Sequence, residues 1–413
     1  FNDNTAKILV NETFRGSINL LINKNLKASE LVNQVATKGG TTEAGLKVMK
    51  KNKLNRRKFL KYSSVAGTLA LSPNILIKNA WATSEVNVLA FGGYEEPGML
   101  DSFEQNTGIK VNLKIHDGSD EEMVALIKSS APGTFDLITP TSAYIPQAAK
   151  DGLLMELNPS DFPLEDYFSI IANWPPCYVN GKMYAIVNRF GYYGITYNHN
   201  KFSESDVSSY DVLFDSANKG RVALFDWFLP NMGCMSKYNG NANPYDLSSS
   251  EFSSLNSTLS KLRPNVGFIG NTSQVIQAMA GESYDLAIAG EWVQAGMYDD
   301  GLPFKALVPK EGGVTWDQAV CIAANTPRKA NAIKFLRYVT EPDFQAKLAT
   351  AKTYYSMVPN KKAATKLPMD KRELLNLADI DKFDEVFMAN LSPRKSPDNR
   401  DEWLNSWESF KNS

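Results

Sequence analysis

Histidine and cysteine are scarce in this chain. Its two histidines are His116 and His199, and its three cysteines, Cys177, Cys234 and Cys321, are widely spaced with no CxxC pair. These spacings fit neither a zinc centre nor a disulfide framework; a single disulfide stays open, and spacing does not choose its pair. A glycine-rich phosphate loop and a metal-ligand cluster are both missing, which removes the usual signatures of a cofactor enzyme. No cofactor and no metal are implied. Long apolar runs are lacking as well. Residues 65–77 are apolar but broken by Pro73, too short a stretch to remain in a membrane as a span. Nor does the main body carry an excess of basic charge. Residues 1–82 hold 14 Lys/Arg and 4 Asp/Glu of the chain's 44 and 45, which leaves 30 basic and 41 acidic groups in residues 83–413. A body near −11 argues against nucleic acid and tolerates a cationic ligand.

What is present is ordinary for a folded soluble protein. Apolar residues make up 43% of the 413 residues and charged ones 22%, enough for two or three domains around a large core. The first 82 residues stand apart. Residues 8–48, with the Gly39-Gly40-Thr41-Thr42 turn, resemble the C-terminal helical part of pyrroline-5-carboxylate reductase. That enzyme's nucleotide-binding domain is missing, so no reductase activity is inherited. Residues 1–48 read as a remnant or as read-through from a neighbouring frame. Residues 49–82 then have a basic start, a modest apolar stretch and Ala80-Trp81-Ala82, a small-x-small cleavage pattern. Within them NRRKFLK, with Arg56 and Arg57, resembles the twin-arginine export signal. The expectation is translation from Met49, export to the periplasm, and a mature protein starting near Thr83.

From Glu85 the pattern alternates between strands and helices. Val86, Val88 and Ala90 alternate as in a strand; Met99, Leu100 and Phe103 predict a helix that stops at Gly108; residues 109–115 read as a second strand. Ser119 with Glu122 three residues on is a capping box. Residues 135–139 and 144–150 follow as strand and helix. Residues 183–198, MYAIVNRFGYYGITYN, are aromatic and β-branched and can carry the chain out of a first lobe. A second unit follows, with a strand at 221–225 ending in Asp226 and Trp227 and another at 285–289 ending in Gly290, Glu291 and Trp292. Thr326 and Pro327 read as the cap and first-turn proline of a later helix. Trp403 and Trp407, four apart, close the chain on a C-terminal helix. This alternation predicts an α/β fold, mainly parallel sheet with helices on both faces, and ligands beyond the carboxyl ends of its strands.

Residues 308–325, VPKEGGVTWDQAVCIAAN, organise the rest. A strand at 304–308 meets a Pro-Gly-Gly turn, and a second apolar run puts Trp316 beside Asp317 and Gln318. An indole next to short polar groups can grip a cation by ring face and carboxylate; the alternative is a core tryptophan. In a regular strand Gln318 shares the face of Trp316 while Asp317 points away, unless a bulge turns it inward. Tyr354 and Tyr355 could suggest a paired-phenolate iron site, but their place after a helix favours packing. His199, between Asn198 and Asn200, reads as a surface or turn residue rather than a base.

The stretches GYEEPGMLDSFEQNTGIKV, FDLITPTSAYI, MYAIVNRFGYYGITYN, NKGRVALFD and VPKEGGVTW together resemble the bacterial extracellular solute-binding proteins of the spermidine/putrescine type. These are receptors of ABC importers. The resemblance runs from about Val86 to the C-terminus. It implies the type II periplasmic-binding-protein fold: two α/β lobes joined by crossing strands, with a ligand cleft between them. Lobe 1 would be residues 83–195 and 310–375, and lobe 2 residues 196–309 and 376–413. The implied ligand is a polyamine or related small amine, held by aromatic faces and carboxylates. An amino-acid derivative or other less charged solute is the rival, and an exported enzyme a more distant one. The implied partners are that solute and an inner-membrane permease, with the receptor a monomer. By position in the family pattern, Phe91 stands where a Trp is usual, Tyr94 and Trp316 keep the family residue, and Thr141 replaces a Ser. Tyr144 follows Ala143, which occupies a cleft Tyr position. Asp226, with Trp227 after it, lies next to a family acid position, and the acid expected near Pro230 is missing. Trp292, with Glu291 before it, sits two residues past a Trp position now held by Gly290. The usual acid two residues beyond Trp316 is Gln318, with Asp317 shifted by one.

Overall fold

The structure, a computed structural model, describes residues 85–116, 119–352 and 354–413. The reductase-like stretch and the stretch expected to be an export signal lie outside them. In the described chain β1 (Glu85–Ala90), α1 (Asp101–Thr107), β2 (Lys110–Ile115), α2 (Asp120–Ser129) and β3 (Leu137–Ile138) succeed one another. α1 ends on Gly108 at φ 66°, a left-handed turn that glycine takes without a Cβ clash. α2 opens on the expected capping box: the Ser119 hydroxyl accepts from the Glu122 N–H, and the Glu122 carboxylate accepts from the Ser119 N–H. α3 (Ile145–Lys150), α4 (Ser169–Ala172), β4 (Tyr178–Val179) and β5 (Lys182–Met183) lead into β6 (Ile186–Asn198). That strand is 13 residues long and buried throughout.

The pattern then restarts with β7 (Val222–Phe225), α5 (Phe228–Tyr238), α6 (Ser249–Leu262), β8 (Val266–Gly270) and α7 (Thr272–Ala280). β9 (Leu286–Ala289), α8 (Glu291–Asp299) and β10 (Phe304–Leu307) complete it, and β11 (Gly313–Ile322) returns to the first half. α9 (Lys329–Thr340), α10 (Pro342–Ala349), α11 (Lys361–Lys366), α12 (Met369–Leu374), β12 (Leu391–Ser392) and α13 (Arg400–Lys411) follow.

The main sheet runs β2-β1-β3-β11-β6-β9-β7-β8. Its two flanks are parallel, β1 with β2 and β3, β7 with β8 and β9. The centre is antiparallel, because β6 leaves the first half and β11 comes back to it: Val314 pairs Tyr193 and Val320 pairs Ile186. The sheet is thus less uniformly parallel than the alternating pattern predicts. One core gathers buried side chains from Val86 to Tyr192 and again from Ala319 to Leu391. The second runs from Tyr193 to Trp316 and takes in Trp403, Trp407 and Phe410 of α13.

Two expectations need correction. Leu377, Phe383, Met388 and Leu391 belong to the first core, so the return to the second half comes after Leu391 and not at residue 376. α9 starts at Lys329 without a side-chain cap, so Thr326 and Pro327 lie outside it. The Thr326 hydroxyl donates to Asp136 Oδ1 and accepts from the Arg328 N–H, while Arg328 Nε reaches Asp136 Oδ2 at 2.8 Å. A fully buried carboxylate has drawn the threonine away from capping. All three cysteines are buried and free.

Candidate functional site

A cavity of ≈ 600 Å³ opens where β6 and β11 pass between the two cores. Its walls come from the carboxyl ends of the parallel strands, as such sheets favour. β1 leads into Phe91, Gly92 and Glu95, β2 into Ser119, Asp120 and Glu121, and β3 into Thr141. From the other half, β7 leads into Asp226 and Trp227, and β8 into Asn271 and Thr272. The crossing strands supply Arg189 and Tyr193 from β6 and Trp316, Asp317 and Gln318 from β11. Tyr354 and Arg394 close the site from later segments.

Seven of the residues singled out in the sequence therefore meet here: Phe91, Thr141, Asp226, Trp227, Trp316, Asp317 and Gln318. The other four do not line the cavity. Tyr94 is wholly buried against Phe344, and its hydroxyl accepts from Asn188 Nδ2 at 2.6 Å. Tyr144 stands behind Glu121, donating to its Oε1 at 2.6 Å. Trp292 stacks on Tyr354 with ring centres 5.2 Å apart and so backs a lining residue. Glu291 is buried beneath Trp316, where its Oε2 accepts from the Tyr192 N–H at 3.1 Å. Gly191 makes that arrangement fit. A Cβ there would lie 1.9 Å from Glu291 Oε1 and 2.2 Å from Trp316 Nε1.

Strand alternation turns Asp317 away from the ligand, yet it lines the cavity together with Trp316 and Gln318. The reason is the edge of β11. On the side opposite β6 it pairs with β12 at Gly313 and Val314 and with β3 at Cys321 and Ile322. Between those two pairings no strand covers that edge among the described residues, so both faces reach the opening. The register also shifts between Gln318 and Ala319. Asp317 Oδ2 accepts from the Ser142 N–H at 2.9 Å, and its Oδ1 has no partner among the described residues. Gln318 is less free than its exposure to the cavity suggests. Its carbonyl oxygen accepts from Arg189 Nε at 2.7 Å, which leaves the amide N–H groups for a ligand.

Several lining residues went unassigned in the sequence, among them Arg189, Tyr193, Tyr354 and Arg394. Tyr354 was expected to pack, and it does, edge-on to Trp316 at 5.1 Å, but it also forms the wall. Its neighbour Tyr355 turns elsewhere and donates to Asp299. Among the described residues no group of histidine, cysteine and carboxylates could hold a metal ion. His199 is exposed. Burial raises the pKa of Asp317 and Asp120, with Arg394 acting against it in both. Asp120 gives its oxygens to the Thr141 N–H at 2.7 Å and the Thr141 hydroxyl at 2.9 Å. Burial pushes Glu121 and Asp226 upward too, but their partners outweigh it and both end below the usual range: Tyr144 and Arg400 for Glu121, Lys411 and Trp407 for Asp226.

A cavity set between two α/β halves, walled by both and crossed by the strands that join them, defines a two-lobed solute-binding protein. The chain belongs to the bacterial extracellular solute-binding protein family, whose profile matches residues 98–374, more than half of it. A second profile, pyrroline-5-carboxylate reductase dimerisation, matches residues 1–59, outside the described part. The chain is 26% identical over 308 residues to the spermidine/putrescine-binding periplasmic protein of Escherichia coli K12, covering 71% of this chain and 82% of that one. Among solved structures, the substrate-binding protein of a Streptococcus pneumoniae spermidine/putrescine ABC transporter superposes with a TM-score of 0.68 at 21% identity, over 79% of this chain and 98% of that one. A putative spermidine/putrescine ABC transporter protein from Listeria monocytogenes gives 0.65 at 24% identity, over 79% and 99%. These likenesses establish the fold.

Proposed function

We propose that the chain is the periplasmic receptor of an ABC importer. It holds a small amine-bearing solute, of the class that includes putrescine and spermidine, and delivers it to an inner-membrane permease. The observation that carries this reading is the ≈ 600 Å³ cavity itself, at the junction of the two cores and walled by Phe91, Tyr193, Trp227, Trp316 and Tyr354. Aromatic faces attract an ammonium group and cover its methylenes, and the unpartnered Asp317 Oδ1 accepts its N–H groups. The names of the curated relatives support the same class. On this reading the two cores are two lobes that close on the solute, with residues 376–391 counted with the first. The protein acts as a monomer and needs neither cofactor nor catalytic group. Export runs through the twin-arginine signal at residues 55–61, and the mature chain starts near Thr83.

The test is a thermal-shift panel of putrescine, spermidine, the α-amino acids, 4-aminobutanoate and glycine betaine on the purified protein. A ligand at a hundred times its dissociation constant stabilises by about 2.7 kcal/mol. A shift with at least one primary amine is expected. No shift with any amine at millimolar concentration would remove the amine-receptor reading and leave the fold and family untouched.

A further inference from the structure

The cavity contains two positive charges that an all-cationic solute does not use. Arg189 and Arg394 are 1% and 2% exposed, and both line the cavity. Neither guanidinium forms an ion pair among the described residues. Arg189 donates from Nε to Gln318 Oε1 and from Nη2 to the Gly92 carbonyl, each at 2.7 Å, and its Nη1 has no partner among the described residues. Arg394 donates from Nη2 to Thr141 Oγ1 at 3.1 Å and lies 4.1 Å over the Trp227 ring. Its Nε and Nη1 are likewise without a partner among the described residues. The charge of Glu95 reaches Arg189 and those of Asp120 and Asp317 reach Arg394, but no carboxylate takes a hydrogen bond from either guanidinium among the described residues, and leaving buried guanidinium donors open is costly.

The carboxylates of the cavity leave these donors open: Glu95 takes the Gly93 N–H, Asp317 takes the Ser142 N–H, and the others have partners of their own. Asp226 takes hydrogen bonds from Trp407 and Lys411, Glu121 from Tyr144 and Arg400, and Asp120 from Thr141. Arg189 lies 5.2 Å from the Tyr354 ring, and the charge of Arg394 acts on the same phenol, which puts both cations near one wall. α7 also turns its N-terminus to the cavity through Asn271 and Thr272, with no acidic residue in its first turn. Its partial positive charge adds to theirs.

We propose that the solute carries a carboxylate as well as its amine. The carboxylate takes the open N–H donors of Arg189 and Arg394, and the ammonium faces Asp317 and the aromatic walls. The ligand class is an amino acid or N-substituted amino acid. This rests on the amine-receptor reading and narrows it. A solute whose every charge is positive meets like charge at the arginines, whereas one with a carboxylate meets the fork geometry that guanidinium offers it.

The experiment is calorimetric titration of the purified protein with matched compounds: putrescine, spermidine, 4-aminobutanoate, its neutral amide 4-aminobutanamide, succinate and the α-amino acids. At least one compound with both groups is expected to bind at least tenfold more tightly than putrescine or spermidine. Neutralising its carboxylate as the amide should cost at least tenfold, a comparison that needs no variant. Arg394→Gln and Arg189→Gln should each weaken that compound at least tenfold more than they weaken putrescine. Both unliganded variants should keep the parent's circular dichroism and a single cooperative melt, a readout that separates lost binding from lost folding. Tighter binding of putrescine or spermidine than of every amino acid overturns the carboxylate inference and leaves the amine receptor standing. Full affinity in both arginine variants, or equal binding of acid and amide, overturns it as well. Silence from every amine overturns both readings.

Discussion

Glu291 shows how far burial alone can move a group beside this cavity. It opens α8 wholly buried, and that burial pushes its carboxyl up to about 8, with the Tyr192 N–H acting against the shift. The folded protein therefore keeps a proton that the unfolded chain releases near the ordinary value of 4.5. Between these two values the native state binds more protons than the unfolded one, so this group's contribution falls as pH rises. It is full below the unfolded pKa and lost by about pH 8, at about 1.4 kcal/mol per pH unit in between. Glu291→Gln keeps an acceptor for Tyr192 and removes the titration. Denaturant unfolding at pH 6 and pH 9 should show the parent losing more stability than the variant; equal losses would place the titration elsewhere. The tryptophans separate packing from binding at the same scale. Trp316 is 3% exposed and belongs to the second core, so Trp316→Ala should cost about 3–5 kcal/mol of stability along with binding. Trp227 is only half-buried and serves as the floor under Arg394. Trp227→Ala should weaken binding while lowering the melting temperature less than Trp316→Ala does. The reverse order would make Trp227 the structural residue and Trp316 the contact.

At the scale of elements, the crossing strands explain what the sequence revealed and what it hid. β6 and β11 announce themselves as long aromatic and β-branched runs, and the strand ends at Asp226 and Trp227 follow from the period of the pattern. Arg189 was also legible in principle: it is the one basic residue inside a 13-residue strand that is buried along its whole length. Arg394 was not. It lies in an irregular stretch rich in proline and charge, and only the pairing of Ser392 with Val314 brings it beside Thr315, whose hydroxyl accepts from the Arg394 N–H. No local period encodes a contact between positions 79 residues apart. Asp317 was named from the sequence but expected to point away, since alternation says which face a side chain takes but not whether the strand edge is covered. The close approach of β6 and β11 hangs on Gly191. A methyl there would collide with both Glu291 and Trp316, so Gly191→Ala should destabilise by about 1–3 kcal/mol and displace the indole. Calorimetric melting and the near-ultraviolet signal of Trp316 would check this; an unchanged melt would mean that α8 can retreat freely.

Among the described residues few connections cross between the two cores. β6 gives Phe190 and Tyr192 to the first and Tyr193 and Ile195 to the second. β11 gives Trp316 to the second and Ala319 to Ile322 to the first. The third crossing lies between Leu391, in the first core, and Trp403, in the second. Arg394 sits on that third crossing and Arg189 on the first, so a solute held by both arginines bridges two of the three connections. Binding energy gained there can stabilise a closed arrangement over an open one only to the extent that the solute touches both halves. Asp120, Thr141 and Phe91 on one side face Asp226, Trp227 and Asn271 on the other, which meets that condition. Saturating ligand should therefore reduce the radius of gyration in solution scattering and slow amide exchange at residues 313–318 and 391–399 together. Arg394→Gln should uncouple the second segment while leaving the first protected. A bound complex whose scattering matches the free protein would mean that the cavity fills without closure, and the hinge would have to be abandoned even with the ligand in place.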